Sequence, residues 1–423
     1  MLGLLVVIFM ILLFIGVPIG YSMAISATTI ILLIPDLPTL VVAQKMFTAM
    51  DSFSLMAVPF FMLAGSLMAE TGITHSIVGF ADALVGHIKG GIGHTASLAG
   101  MLMAGISGSS NADAAALGSL LVPTLKENGY EEGFAVSLVA ASGTLAPIIP
   151  PSIMMILYAG ITNMVVGELF MAGVIPGILM GGSYMIMSYF HARNRGLNDH
   201  PFVGWKNVAI AVKNAIWALL MPIIILGGVL SGIVTATEAG VVACFYGIIY
   251  GFVSRKLNFK KMWKCAEDAA TNTAVTMIII AFATLIGYLL AREDFSEVIM
   301  ALVTTYHLNK FVVLALIVLL NIFLGMFIDA NAILLMVVPV VYPVLVGLGF
   351  DPLHFAIVLL ISLVIGGLSP PVGMVLYIVA SVSKTPLEKV VKPVWFFVLA
   401  DVIVIAIVMA LPFTTTFIPG LMG

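Results

Sequence analysis

Two short polar segments interrupt long apolar stretches of the chain, and they carry the side chains best suited to bind a ligand. The first is GISGSSNAD, residues 105–113, which is rich in hydroxyl and amide oxygens. Asp113 is the only charged residue between Lys89 and Lys126. A lone carboxylate in an apolar run indicates a functional site, but the same carboxylate could cap the helix that follows. The pattern leaves both interpretations of Asp113 open.

The second polar segment is GMFIDANA, residues 325–332, and it contains Asp329 and Asn331. Asp329 is the only acidic residue between Lys310 and Asp351, which favours a role in binding a solute or an ion over a capping role. Oxygen-rich breaks of this kind suit small cations and carboxylates. The chemistry predicted for both segments is therefore binding and release.

The rest of the sequence offers no catalytic constellation. No nucleophile–base set and no P-loop stand out, and the histidines lack metal-ligand spacing. Cys244 and Cys265 form neither a metal-ligand cluster nor a disulfide framework. Glu238 is expected to cap a helix together with Thr235 or Thr237. We therefore predict a protein that is not an enzyme and that uses an ion gradient instead of ATP.

The composition assigns these segments to a membrane. Of 423 residues, 62% are hydrophobic and 9% are charged, whereas soluble proteins are about 45–50% apolar and about one quarter charged. A span needs about 20 apolar residues, so the chain has room for roughly a dozen spans or part-spans in one integral domain, residues 1–423. The apolar N-terminal segment is expected to be a retained first span. The net charge of −3 gives no sign of nucleic-acid binding.

Basic residues are concentrated in two loops, at about residues 191–213 and 255–264. The apolar stretch between them fits two helices that meet near Ser231 and Gly232, which returns both loops to one side of the membrane. The positive-inside rule predicts that this side is cytoplasmic. Residues 74–91 form either an amphipathic helix at the membrane interface or an ordinary connecting loop.

The chain resembles itself at an offset of 220 residues. Gly, Asn and Pro matches at one constant offset indicate an internal repeat, which we place at about residues 92–163 and 312–383. The matched residues are Gly105 and Gly325, Asn111 and Asn331, Pro123 and Pro343, Gly129 and Gly349, Ser142 and Ser362, Pro150–Pro151 and Pro370–Pro371, and Met154 and Met374. Paired segments that are broken at corresponding positions are the best sequence indication of a transporter's binding site.

The two Pro-Pro segments, IIPPS and LSPPV, are expected to end one half-helix and begin another. A broken helix in a membrane leaves backbone groups that something other than water must satisfy. Carbonyl groups at helix C-termini can bind Na⁺, and N–H groups at helix N-termini can bind a carboxylate. A repeat that breaks twice can therefore build one site from two sides.

Six segments resemble the large membrane subunit of TRAP transporters, the tripartite ATP-independent periplasmic class. They are DSFSLMAVPFFMLAGSLM, GISGSSNADAAALGSLLVP, LAPIIPPSIMMILYAG, SGIVTATEAGVVACFYG, GMFIDANAILLMVVPVVYPV and GGLSPPVGMVLYIVAS. The resemblance covers about residues 14–410, and the segments occur in the order of that family. One departure is Ala236, where the family commonly has proline.

The resemblance implies an all-α polytopic membrane protein, an inverted-repeat transporter of the elevator type with two re-entrant helical hairpins and two broken helices. The repeats would form the mobile domain, and about residues 1–70, 166–291 and 393–411 would form scaffold and arm helices. The hairpin tips would lie near residues 107–111 and 329–331. The residues implied to bind Na⁺ are Gly105, Ser107, Ser110, Gly143 and Pro147 in the first half, and Gly325, Gly366, Ser369 and Val372 in the second. The residues implied to bind solute are Ser109, Asn111, Ser152, Asp329 and Asn331.

The same resemblance implies a Na⁺-coupled importer of organic acids, such as sialic acid, a C4-dicarboxylate or another sugar acid, with Na⁺ as coupling ion and no organic cofactor. Its expected partners are a small four-helix membrane subunit on a separate chain, a periplasmic substrate-binding protein and the lipid bilayer, without nucleic acid. The expected location is the bacterial inner membrane. The alternative is a stand-alone Na⁺/carboxylate symporter that needs no binding protein.

Overall fold

The computed structural model describes residues 1–35, 37–197, 201–202 and 204–421, and all regular secondary structure in these ranges is helical. The helices are α1 (Leu2–Phe14), α2 (Ile19–Leu33), α3 (Leu40–Met50), α4 (Ala57–Glu70), α5 (Ile73–Val85), α6 (Gly91–Ser107), α7 (Ser110–Glu127), α8 (Glu132–Gly143), α9 (Ile153–Thr162), α10 (Val166–Arg195), α11 (Trp205–Leu230), α12 (Ala236–Val253), α13 (Phe259–Arg292), α14 (Phe295–Thr305), α15 (Lys310–Gly325), α16 (Ala330–Gly347), α17 (Pro352–Leu368), α18 (Met374–Val382), α19 (Leu387–Ala410) and α20 (Phe413–Gly420).

Several helices are long and apolar enough to cross a membrane. In the described ranges six pass this test by themselves, namely α10, α11, α12, α13, α16 and α19. A seventh span is possible if α4 and α5, which bend by 75° at Thr71 and Gly72, count as one. Gly72 has a φ of 66°, a value that glycine adopts without steric cost and that permits this bend. These features confirm the prediction of an all-α polytopic membrane protein.

Two local predictions are confirmed in this fold. Glu238 and Thr235 form a capping box at the start of α12, where the Thr235 N–H group donates to the Glu238 carboxylate at 2.7 Å and the Glu238 N–H group donates to the Thr235 hydroxyl at 3.3 Å. The chain also turns near Ser231 and Gly232, between α11 and α12. Residues 74–91 are mostly helical rather than a loop, because α5 covers them as far as Val85.

Helix boundaries repeat at the offset of 220 residues. α7 and α16 match end for end, and α6, α8 and α9 correspond to α15, α17 and α18 to within a few residues. The correspondence continues outside the predicted repeats, since α2 aligns with α12, α5 with α14, and α10 with α19. The proposed limits at 92–163 and 312–383 therefore lie within a longer correspondence, and the division into mobile and scaffold parts stays a prediction.

The two copies interlock instead of packing as separate halves. α7 of the first copy packs against α18 of the second, and α16 packs against α9 in the equivalent way. α8 packs against α19, and α17 packs against α10. Each broken helix therefore contacts elements of the other copy, which brings the polar breaks of both copies into one region.

Charged groups join the two copies where α8 begins. Glu132, the first residue of α8, accepts hydrogen bonds from Lys126 at 2.7 Å and from Lys389 at 2.8 Å. Hydrogen bonds from Lys126 and then Lys389 lower the pKa of this carboxyl to about 2. Thr385 also donates to it, at 3.2 Å. The carboxylate of Glu132 thus links α7 and α8 to the segment that contains Thr385 and Lys389, at the surface of the protein.

Candidate solute and ion site

The polar breaks surround a single cavity of about 510 Å³. Four helices begin at its wall, and each copy of the repeat supplies two of them: α7 and α9 from the first, α16 and α18 from the second. The first N–H groups of a helix have no partner within the helix, and the N-terminus is the positive end of the helix dipole. Four such ends around one cavity create an environment that favours an anion.

The first hairpin tip lies against the first broken helix because it has glycine where space is smallest. Gly108 ends α6 with a φ of 61°, and a Cβ atom there would lie 3.1 Å from the carbonyl oxygen of Pro151 and 3.2 Å from the nitrogen of Ile153. Ser107 stabilises the turn, because its hydroxyl accepts a hydrogen bond from the Ser109 N–H group at 3.1 Å. α7 then begins at Ser110, facing the cavity.

Asp113 lies one turn into α7 and is buried, with 1% of its surface exposed. Neither carboxylate oxygen has a hydrogen-bond partner, although the hydroxyl of Ser107 is close enough to interact with the group. The N-cap of α7 is Ser109 rather than Asp113. No hydrogen bond therefore supports a capping role for Asp113, and both oxygens of its carboxylate can still accept hydrogen bonds or bind a cation.

The first broken helix passes through Thr144, Pro147 and Pro150 before α9 begins. Ser152 is the N-cap of α9, because its hydroxyl accepts a hydrogen bond from the Met155 N–H group at 3.3 Å. The same hydroxyl donates to the carbonyl oxygen of Pro147 at 2.8 Å. The first hydrogen bond caps α9 and the second ties this cap to the segment before it, so Ser152 positions the N-terminus of α9.

The second hairpin tip contains Asp329, which both caps α16 and lines the cavity. Its carboxylate accepts a hydrogen bond from the Asn331 N–H group at 3.0 Å. The backbone joins this tip to the second broken helix, since the Gly373 N–H group donates to the carbonyl oxygen of Met326 at 3.2 Å. Asp329 is the only ionisable residue among the described residues that line the cavity.

Two glycines allow α15 and α17 to cross in backbone contact beside the second tip. A Cβ atom on Gly325 would lie 2.7 Å from Cα of Gly366, and a Cβ atom on Gly366 would lie 2.6 Å from Cα of Gly325. No side chain fits between the two helices at this crossing. Their C-terminal ends, at Gly325 and Leu368, are therefore close neighbours.

The structure brings half of the predicted site residues to the cavity wall. The residues that line it are Ser107, Ser109, Ser110, Asn111, Pro147, Asp329 and Asn331. The predicted residues outside the lining are Gly105, Gly143, Ser152, Gly325, Gly366, Ser369 and Val372. Of these, Gly143 packs on Ala114, the Ser369 hydroxyl donates to the Ile365 carbonyl at 2.7 Å, and Val372 is exposed. The roles of Ser152 as a solute ligand and of the other six as ion ligands stay predictions.

The sequence analysis missed the part of the cavity wall that α4 and α13 provide. Gly65 and Ser66 of α4 and Asn272 and Thr276 of α13 also line the cavity. Asn272 and Thr276 are polar residues four positions apart in an apolar helix, so they share one face, and this signal could have identified them. Gly65 gave no such signal; a Cβ atom there would lie 3.0 Å from the carbonyl oxygen of Ser107.

Comparison with known proteins decides the family. Residues 6–414 match the family described as the tripartite ATP-independent periplasmic transporter, DctM component. This chain belongs to that family. As a DctM component it is a multi-pass inner-membrane protein, consistent with its apolar helices. The resemblance inferred from the six sequence segments is thereby confirmed.

Relatives of this DctM component are transporter permeases. It is 38% identical to the sialic acid TRAP transporter large permease protein SiaM of Vibrio cholerae, over 97% of this chain and 96% of the relative. It is 36% identical to the C4-dicarboxylate TRAP transporter large permease protein DctM of Pseudomonas aeruginosa, over 94% and 93% of the two chains. The crystal structure of the YdaH transporter of Alcanivorax borkumensis has the same fold, with a TM-score of 0.62 over 84% of each chain at 16% identity.

Proposed function

We propose that this DctM component is the membrane subunit of a Na⁺-coupled transporter that imports an organic acid. The observation that carries the proposal is the meeting of four helix N-termini, two from each copy of the repeat, at one cavity. No lysine or arginine is among the described lining residues. The helix ends, hydroxyl groups and amides therefore hold the carboxylate that an arginine would bind in other sites.

The solute is an organic acid of the size of sialic acid or a C4-dicarboxylate, the two classes named for the relatives from V. cholerae and P. aeruginosa. Ser109, Asn111 and Asn331 supply hydroxyl and amide groups at the cavity wall. Asp329 contributes the acidic group of the site, and Ser152 acts through the N-terminus of α9 that it caps.

Na⁺ binds where helix C-termini face the same region. In the first copy α6 and α8 end there, and the ligands are carbonyl and hydroxyl oxygens of Gly105, Ser107, Ser110, Gly143 and Pro147. In the second copy α15 and α17 end there, and the ligands come from Gly325, Gly366, Ser369 and Val372. The unpaired carboxylate of Asp113 beside Ser107 supports the first site, because a buried anion needs an opposite charge.

Transport follows an elevator mechanism, in which the repeats at 92–163 and 312–383 move against the remaining helices. Two close contacts support a boundary between moving and fixed parts at the first hairpin tip. Gly65 of α4 approaches Ser107, and Gly105 lies next to Pro222 of α11. α11 and α12 belong to the fixed scaffold and contact the small four-helix subunit. A periplasmic binding protein delivers the solute.

Uptake of labelled sialic acid and labelled succinate into proteoliposomes tests the proposal. The vesicles contain this chain and its small subunit, with or without the binding protein and with or without an inward Na⁺ gradient. We expect uptake of one solute that requires both additions. Uptake that needs the gradient but not the binding protein would favour the stand-alone symporter, and uptake independent of Na⁺ would contradict the proposal.

A pair of serine variants, one at the N-cap of α7 and one within that helix, tests the cavity itself. Ser109→Ala removes a hydroxyl from the wall, whereas Ser119→Ala removes an exposed hydroxyl that donates only to the Ala116 carbonyl, at 2.9 Å. We expect Ser109→Ala to raise the KM for the solute and Ser119→Ala to leave it unchanged. Equal kinetics of the two variants would remove Ser109 from the solute site.

A further inference from the structure

A second buried carboxylate lies away from the cavity, where the equivalent helices α10 and α19 of the two copies pack together. Asp401 of α19 has no exposed surface. The hydroxyl of Tyr184, which is also fully buried, donates to Oδ1 of Asp401 at 2.7 Å. Oδ2 of Asp401 has no hydrogen-bond partner. The contact between these two helices thus holds a carboxyl group with one oxygen that accepts no hydrogen bond.

The surroundings of Asp401 supply no compensating charge. Four helices pack against α19, namely α8, α10, α17 and α18. The ionisable residues of these five helices besides Asp401 are Glu132, Glu168, Tyr184, Tyr189, His191, Arg193, Arg195, His354, Tyr377, Glu388, Lys389 and Lys392. Among the described residues only Tyr184 interacts with the Asp401 carboxyl. The ring of Phe397 packs edge-on against Tyr184 and keeps the pair in apolar surroundings.

This donor set suits a proton better than a metal ion. A hard cation is held by several oxygen ligands, and here the carboxyl group and one hydroxyl are the only ones that the hydrogen-bond pattern provides. An ionised carboxylate buried with a single neutral donor costs considerable free energy. Ionisable groups in the interior of membrane proteins commonly form proton relays.

A short polar route connects this carboxyl group to the cavity. Thr144 lies at the cavity wall, and its hydroxyl is within interaction range of the Tyr184 oxygen. The Thr144 hydroxyl donates to the Ala141 carbonyl at 2.7 Å, so it can rotate between that carbonyl and Tyr184. The sequence of groups from cavity to interior is therefore Thr144, Tyr184 and Asp401.

We propose that Asp401 is a proton-binding site that exchanges its proton with the solute cavity through Tyr184 and Thr144. A proton from cavity water binds the Thr144 oxygen while Thr144 passes its own hydroxyl proton to Tyr184, and Tyr184 passes its proton to Oδ1 of Asp401. Both hydroxyl groups end neutral, the carboxylate gains one proton, and the cavity loses one. Release follows the same steps in reverse.

Infrared spectroscopy of the full chain in liposomes tests this site without a solute. A protonated carboxyl group gives a C=O stretching band that a carboxylate lacks. We expect a band from a buried carboxyl group in the wild-type protein that titrates with pH, persists in Asp113→Asn and is lost in Asp401→Asn. Asp113 is the matched control because it is the other buried acidic residue in the described ranges. A band unaffected by Asp401→Asn, or its absence at every pH, would overturn the proposal.

Transfer to heavy water tests the route. The carboxyl band shifts as its proton exchanges for deuterium. Tyr184→Phe and Thr144→Val should each slow this shift at least about tenfold, because each removes one hydrogen-bonded step of the route. Thr144→Ser keeps the hydroxyl group and should exchange at the wild-type rate. Tyr184→Phe should also move the band frequency, which assigns the band even if Asp401→Asn does not fold. Equal exchange rates in all variants would exclude the route.

Discussion

Replacing Gly366 with alanine tests the backbone crossing that closes the second proposed Na⁺ site. A Cβ atom at this position would lie 2.6 Å from Cα of Gly325 and 2.9 Å from the carbonyl oxygen of Ile322. Ordinary van der Waals contact begins at 3.4 Å, so α15 and α17 must separate by about 0.8 Å. Both opposing atoms belong to the backbone, and no side chain can rotate away to make room.

The free-energy cost of this separation follows from the effect of overpacking. Adding a methyl group to a closely packed contact costs about 1–3 kcal/mol. If Na⁺ binds only when the crossing is closed, the same free energy weakens the apparent Na⁺ affinity by about 5–150-fold. We therefore expect Gly366→Ala to require a much higher Na⁺ concentration for half-maximal uptake and to unfold at a lower temperature than the wild type.

Gly367→Ala is the matched control. It makes the same change one residue further along α17, but the nearest atom to its new Cβ would be Cγ2 of Val375 at 3.8 Å, an ordinary contact. The assay measures the Na⁺ dependence of solute uptake into proteoliposomes and the thermal unfolding of both variants. If Gly366→Ala and Gly367→Ala have the same Na⁺ dependence, the crossing does not form part of an ion site.

Three further predictions concern the hairpin tips and the surface. Asp329→Asn should lower uptake while thermal stability is kept, because asparagine caps a helix about as well as aspartate; unchanged uptake kinetics would remove Asp329 from the site. Asn111→Ala and Asn331→Ala should both impair uptake if the copies contribute equally, and a severe loss in one with none in the other would contradict paired sites. Glu132→Gln should lower the melting temperature in calorimetry above about pH 4.5, and the difference from wild type should shrink as pH falls towards 2, because the lowered pKa of Glu132 means that its stabilising carboxylate is lost on protonation. A difference that grows in acid would refute this assignment.

Breaks in the helices could be predicted because glycine and proline act on the backbone locally. Gly108 ends α6 with a positive φ, and the two Pro-Pro segments lie in the breaks between α8 and α9 and between α17 and α18. Single prolines such as Pro123 and Pro176 lie inside helices, so the doubled proline was the more specific signal. Because the chain resembles itself at an offset of 220 residues, the breaks in the first copy also predicted those in the second. Helix boundaries outside the predicted repeats follow the same offset. The sequence did not reveal this, because few residues match at that offset in those helices.

Contacts that depend on how helices pack could not be predicted in this way. Gly65 lies at the cavity because α4 passes beside the first tip, and its sequence neighbours give no hint of this. The hydroxyl of Ser152 faces the Pro147 carbonyl across the break instead of the cavity wall, a matter of side-chain direction. Asp401 is the only charged residue among residues 393–423, so the rule for a lone carboxylate in an apolar run could have identified it. Its hydrogen bond with Tyr184, 217 residues away in the chain, depends on packing and could not be predicted.

Charge explains why one site needs helix ends of both polarities. A carboxylate at Asp329, in the wall of the cavity, repels an anionic solute. A cation held by nearby helix C-termini offsets this repulsion; at about 8 Å it contributes about 2 kcal/mol when the effective dielectric constant is about 20. Each broken helix has a C-terminus and an N-terminus on either side of its break, so the proposed Na⁺ and solute sites would be neighbours that use different ligands. In the proposed function, the attraction between them would couple the two binding events, and the pair would move as a nearly neutral unit.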